Sequence, residues 1–410
     1  MIEYCLVGAE VVLGDDLRSI RDADVHVRDG KIIAVGKGAA PEGVPAIDLD
    51  GRLVLPGFIN AHTHIADAAV KEVAFNSPSG TNIFFPPNGL RFTAMAAVGR
   101  ERRIAAIRSA ARQMIASGVV AFADFTAGGV EGVRELREAL DGLPIRGISF
   151  GGFAGVPQGV EELEANEGGL NPRVVAQVIE TLQAADGFAP VRASDLTDQA
   201  MTELRALAFS HGKPLATHAA ATPSYREVSV RRTGTSDVSR VAEHLKPDFL
   251  VHLTAATDDE LRVVAEHNIP IVMCPRANVS LGAGVPPYFS ARMLGATIAL
   301  GTDNLMLGSP DILAEVNFLA LLLRSNSQSP AVVDERALLH AATLGGARAI
   351  GIDSTLGSIA PGKSASLVVI DLRSDNLGYS TNPIASLIQR ATVADIEAVI
   401  IDGDVVHGTL

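Results

Sequence analysis

The sequence predicts an α/β chain: a (β/α)8 barrel of the TIM type, with a small β-sandwich formed by both chain termini. Three observations carry this expectation. Apolar β-rich runs alternate with helical segments through the middle of the chain, and both ends are rich in strand and poor in helix. Polar residues also recur at the C-terminal ends of the central strands, where a barrel of this type places its site.

The elements follow in order. Residues 4–13, 24–28, 31–36 and 47–49 read as short strands. Asp24-Val25-His26-Val27-Arg28 alternates polar and apolar, and Asp29-Gly30 turns it into a hairpin. At the other end, 367–371 and 398–401 are β-rich, and Asp402-Gly403-Asp404 is a tight turn. Between them, candidate strands run over 54–60, 119–124, 145–150, 189–193, 214–218, 249–252, 270–273 and 297–301. Helical segments separate them, over 101–117, 201–211, 258–267 and 311–324 among others. In the first, Ile104, Ile107, Ala111, Met114 and Ile115 share one face and Gly118 stops the helix. A doubly wound open sheet is the competing arrangement, but no glycine-rich dinucleotide loop follows the first strand. The units expected are 1–54 (first part of the sandwich), 55–352 (barrel) and 353–410 (second part).

Composition narrows the function. Of 410 residues, 47% are apolar and 20% charged, which is ordinary for a globular chain with a large core. A net charge of −13 without Lys/Arg runs argues against nucleic acid and anionic membrane surfaces. Cys5 and Cys274 are the only cysteines, so neither a disulfide framework nor a thiolate zinc site is expected. Met1-Ile2-Glu3-Tyr4 has no leader character, and no apolar run approaches the ~18 residues of a membrane span. The expected compartment is cytoplasmic.

The most informative stretch is Val54-Leu55-Pro56-Gly57-Phe58-Ile59-Asn60-Ala61-His62-Thr63-His64. Side chains alternate faces along a strand, so His62 and His64 project to one side and can grip one ion. His218, His252 and Asp303 fall at the ends of the fifth, sixth and eighth candidate strands. One such residue alone would most simply be a hydrogen-bonded barrel residue; five at matching ends mark a site. Imidazole and carboxylate donors without thiolate suit a catalytic divalent ion, zinc first and Fe(II) second. His26, His211, His244, His267, His340 and His407 lack this placement and read as structural or solvent-facing.

Nearly the whole chain resembles the amidohydrolase superfamily, in its cytosine deaminase and chlorohydrolase-like branch. The resemblance rests on residues 55–64, on Cys274-Pro275-Arg276-Ala277-Asn278, on Leu300-Gly301-Thr302-Asp303 and on residues 357–369. It implies one divalent metal ion held by His62, His64, His218 and Asp303, with His252 beside the water or substrate. Binuclear relatives carry a carboxylated lysine on the fourth strand; Ala189-Pro190-Val191-Arg192-Ala193 has none, in keeping with a single ion. Asp303 and His252 are then the expected catalytic pair, and a homodimer is the expected assembly.

One departure stands out. Aminopurine and aminopyrimidine deaminases of this branch have a glutamate three residues after the fifth-strand histidine, which protonates the ring nitrogen. Here His218-Ala219-Ala220-Ala221 places Ala221 there, and alanine donates no proton. Glu227 is the nearest carboxylate downstream and reads as an exposed residue. The expected reaction is therefore hydrolysis of a C–N bond in a small heterocycle. Deamination and cyclic-amide hydrolysis both stay open, and a barrel that binds without catalysis is the third reading.

The loop after the first strand, Phe84-Phe85-Pro86-Pro87-Asn88-Gly89-Leu90-Arg91-Phe92, is placed to touch substrate. Asn88, Arg91 and Arg276 are the candidate contacts; Arg91 can pair with a carboxylate or phosphate, or simply face solvent. Asn278 reads as a pocket residue or a turn cap, and Asp124 as a pocket residue or a barrel-mouth ion pair.

Overall fold

The computed structural model describes residues 2–75, 77, 82–84 and 88–410. Its architecture is mixed α/β, with strands and helices alternating through the middle of the chain.

Two parallel sheets occupy that middle. One joins Phe58–His64, Val119–Thr126, Arg146–Gly151 and Gly187–Phe188 in chain order, with Asp303–Asn304 on the far side of Phe58–His64. The other joins Ala216–Ala219, Phe249–His252, Ile271–Met273 and Ile298–Leu300. Parallel bridges Phe188↔Leu215 and Arg192↔His218 link the two sheets at one seam. At the other seam, Ile298–Leu300 runs on to Asp303–Asn304, which pairs with Thr63 and His64. Both faces are apolar: Phe58, Phe122, Phe150, Phe188 and Phe249 are almost wholly buried, as strands covered on both sides require.

The helices lie where their apolar stripes demand. Arg100–Ala116 buries Ile107, Ala110, Ala111, Met114 and Ile115, while Ile104 stays at the margin. Gly118 follows in the left-handed region at φ +82°, where a side chain would press on Val368 and Phe58. Asp258–Glu266 starts in a capping box, with the Thr257 hydroxyl accepting from the Glu260 N–H and the Glu260 carboxylate from the Thr257 N–H. Asp198–Ser210 and Ile312–Ser327 fall on the remaining expected segments within a few residues.

Two candidate strands differ from expectation. The run 54–60 is two strands broken at Gly57: Arg52–Pro56 belongs to the terminal sheet and Phe58–His64 to the central one. The break has a cause, since the Gly57 N–H donates to Ser366 O and a Cβ at 57 would stand 2.4 Å from Val120. The run 189–193 is not a continuous strand; the regular strand ends at Phe188, only the isolated bridge Arg192↔His218 follows, and Pro190 cannot donate to a ladder.

The chain ends meet as one eight-stranded sheet. Asp404–Gly408, Ile396–Ile401, Leu367–Asp371, Arg52–Pro56, Glu3–Leu13, Arg18–Arg28 and Lys31–Gly36 follow one another across it, and Ala46–Asp48 pairs with Glu3–Leu13. It has its own core, including Leu6, Val11, Val25, Val54, Leu367 and Ile400. Among the described residues, no helix is long and apolar enough to cross a membrane.

Candidate metal centre

His62, His64, His218 and Asp303 each offer a ligand atom, and these atoms lie within 4.8 Å of one another. Register brings them together. Thr63 pairs with Asp303, and His64 with Asn304; His218 pairs with Val251, and Ala219 with His252. His62 is fully buried and His64 nearly so.

The hydrogen bonds fix which ring nitrogens face inward. His218 Nδ1 lies 2.7 Å from Val191 O, and His64 Nδ1 lies 3.2 Å from Phe125 O. A carbonyl only accepts, so both Nδ1 atoms carry the proton and both Nε2 lone pairs point to the centre. There His218 Nε2 is 3.2 Å from His62 Nε2 and 3.4 Å from His64 Nε2. Asp303 Oδ1 is 3.2 Å from His62 Nε2 and 3.7 Å from His64 Nε2. Lone pairs this close repel unless a cation lies among them, and three imidazoles with one carboxylate are the donor set of a divalent ion. The residues fit the metal.

Burial drives the electrostatics. It pushes the His64 and His218 imidazoles well below their ordinary range, and neighbouring imidazoles push the same way. Neutral rings are the ligating form. Burial by itself raises the Asp303 carboxyl, but the His62 hydrogen bond and the imidazoles around it outweigh that and hold it below the usual carboxylate range. His252, pushed down to about 4 chiefly by burial, stacks on His218 with ring centroids 5.0 Å apart. Its Nδ1 is 3.0 Å from Asn278 Oδ1, and Asn278 Nδ2 donates to the Thr254 hydroxyl at 2.6 Å. In this amide orientation the Asn278 oxygen accepts from His252 Nδ1–H, which leaves Nε2 without a proton.

The backbone is strained around this centre. Ala220, His252, Leu253 and Asp303 all adopt positive φ, between 41° and 79°. Such conformations cost ~1–2 kcal/mol each in residues with a Cβ, and they gather where strand ends must aim side chains.

Other candidates land differently. Arg91 is buried, donates from Nε to Asp67 Oδ2 at 2.5 Å, and lines two cavities beside His64, of about 590 and 370 Å³. Asn88 is exposed in a turn and lines neither; Phe85, Pro86 and Pro87 lie outside the described residues. Arg276 also lines neither, because Glu315 at 3.6 Å and the Ser309 carbonyl at 3.3 Å hold it. Asp124 is buried and satisfied by Thr63, Thr126 and the Ile65 N–H. Glu227 is exposed. Sequence reasoning missed Asp67 and Asn304, although a carboxylate three residues beyond His64 in an apolar segment was a visible signal. The Phe125 and Val191 carbonyls left none.

Comparison with known proteins settles the lineage. Residues 53–406 match the model of the amidohydrolase family. The chain belongs to that family. This amidohydrolase is 31% identical over 420 residues to a 5-methylthioadenosine/S-adenosylhomocysteine deaminase of Halobacterium salinarum, across 99% of this chain and 93% of the other. Its fold is that of a zinc-bound adenosine deaminase from Xanthomonas campestris (TM-score 0.84, 23% identity, 98% and 92% of the two chains). Atrazine chlorohydrolase from Arthrobacter aurescens TC1, also solved with zinc, matches similarly (TM-score 0.83, 19% identity, 99% and 95%). Membership makes the chain a hydrolase acting on C–N bonds.

Proposed function

We propose that this amidohydrolase hydrolyses a C–N bond of a small heterocyclic molecule at a single divalent ion, zinc before Fe(II), held by His62, His64, His218 and Asp303. The observation that carries the reading is the convergence of three imidazole nitrogens and one carboxylate oxygen within 4.8 Å of one another. In this reading the two parallel sheets form one eight-stranded barrel spanning 55–352, and the terminal sheet folds on itself as a sandwich of 1–54 and 353–410. A homodimer is the proposed assembly.

A divalent ion in such a site lowers the pKa of bound water from about 15.7 toward 7. The remaining work falls to the chain. Asp303 accepts the proton from the attacking water and returns it to the departing nitrogen. His252, neutral and oriented by Asn278, turns Nε2 toward the reacting centre. Arg91 contacts the substrate; Asn88 and Arg276 drop from that role for the positions given above.

Relatives named as deaminases support ammonia release. Ala221 favours the second reading, cyclic-amide hydrolysis, in which no ring nitrogen needs an acid at that position. Zinc-loaded protein offered aminated and cyclic-amide heterocycles, with ammonia and ring opening both recorded, separates the two. Metal-dependent turnover of neither class would end the proposal.

A further inference from the structure

We propose that the substrate carries a carboxylate and that Arg91 reads it, an inference that rests on the hydrolase reading above. Arg91 lies on the helix Leu90–Ala96 and is only 8% exposed. Its Nε is tied to Asp67 Oδ2, which also accepts from Asn304 Nδ2 at 2.5 Å, and Asp67 is wholly buried. The guanidinium is thus anchored by one edge. Its two Nη groups have no hydrogen-bond acceptor among the described residues, while Arg91 lines the 590 Å³ cavity that His64 also lines. Neither Nη atom is among the buried polar atoms left without a partner, so both reach the open cavity, where the oxygens of a ligand carboxylate can replace water as their acceptors.

The charge of that cavity points the same way. In a chain of net charge −13, its wall carries Arg91, Arg192 and Arg232 against one carboxylate, Asp195. Arg192 forms a fork with Asp195, and Arg232 is engaged by Glu164 and the Ser194 carbonyl. Arg91 differs from both, because its partner Asp67 occupies the Nε edge and leaves the paired Nη donors that match the two oxygens of a carboxylate. The aromatic wall formed by Phe92 and Phe125 suits the ring of such a molecule.

The test uses zinc-loaded full-length protein and matched pairs: pyrimidine and lactam carboxylates, each with its uncharged carboxamide. Turnover and calorimetric binding are measured for wild type, Arg91→Met and Arg91→Lys, with zinc content checked in each. Wild type should favour the carboxylate by about 10- to 100-fold, the range for a charge-assisted hydrogen bond. Arg91→Met should erase that preference through KM and binding, and Arg91→Lys should keep part of it. No preference in wild type, an undiminished preference in Arg91→Met, or an equal loss on both members of each pair would overturn the proposal. Selective binding of carboxylates without any turnover would uphold the anion site and count against the hydrolase reading alone.

Discussion

Gly301 lies directly against the backbone of His62: a Cβ at position 301 would stand 2.8 Å from His62 Cβ and 2.9 Å from its N and O. The eighth strand therefore reaches its neighbour only because it carries no side chain there. Gly301→Ala should push His62 away from Asp303, at the ~1–3 kcal/mol typical of overpacking. Zinc affinity should fall at least about tenfold, read by competition with a chromophoric chelator; unchanged affinity would mean the strand yields without moving the ligand.

His62→Ala removes the ring that contacts both His218 and Asp303. The variant should fold yet lose its tightly bound zinc and its activity. Elemental analysis of purified protein checks this, and full retention of metal would refute the ligand assignment.

Chelation should lower the melting temperature of wild type, and added zinc should restore it. Free ion at about 1,000 times its Kd stabilises by ~4 kcal/mol. A melting curve indifferent to zinc would speak against a bound ion.

Asp303→Asn keeps an oxygen at the site and removes the base. With zinc saturating, kcat should drop by ~10²–10⁴. Turnover close to wild type would require another proton carrier.

Glu315 is 1% exposed and accepts from the Arg276 N–H. Burial pushes its carboxyl up to about 8 from an ordinary 4.5, outweighing the Arg276 guanidinium nearby. Between those values the unfolded chain has released a proton that the folded chain keeps, so stability falls as pH rises through that window. Glu315→Gln still accepts the hydrogen bond but cannot titrate. Its melting temperature should decline less than that of wild type between about pH 5 and 8.5; parallel curves would place the titration elsewhere.

How much of this was legible beforehand depends on the range of the signal. The positions of His62, His64, His218, His252 and Asp303 were readable because alternation and the ends of apolar runs are local signals written in residue order. The helix 100–116 was readable for the same reason, through its apolar period and terminal glycine. The split at Gly57 was not, since it depends on Ser366 and Val120, remote in sequence. Arg276 looked like a pocket residue because nothing local announces Glu315. Asn278 proved to be the partner of His252, a contact that joins a strand end to the helix Pro275–Ser280 and follows only once both are placed. Nor does any residue type encode the carbonyls of Phe125 and Val191 that set the imidazole tautomers.

The Gly57 staple also governs assembly in time. Arg52–Pro56, which leads straight into the histidine pair, is bordered by Leu367–Asp371, more than 300 positions later. A ribosome making this chain has therefore released every metal-binding side chain before the strand that flanks their entry exists. Until Leu367–Asp371 is made, one edge of Arg52–Pro56 has no strand to pair with.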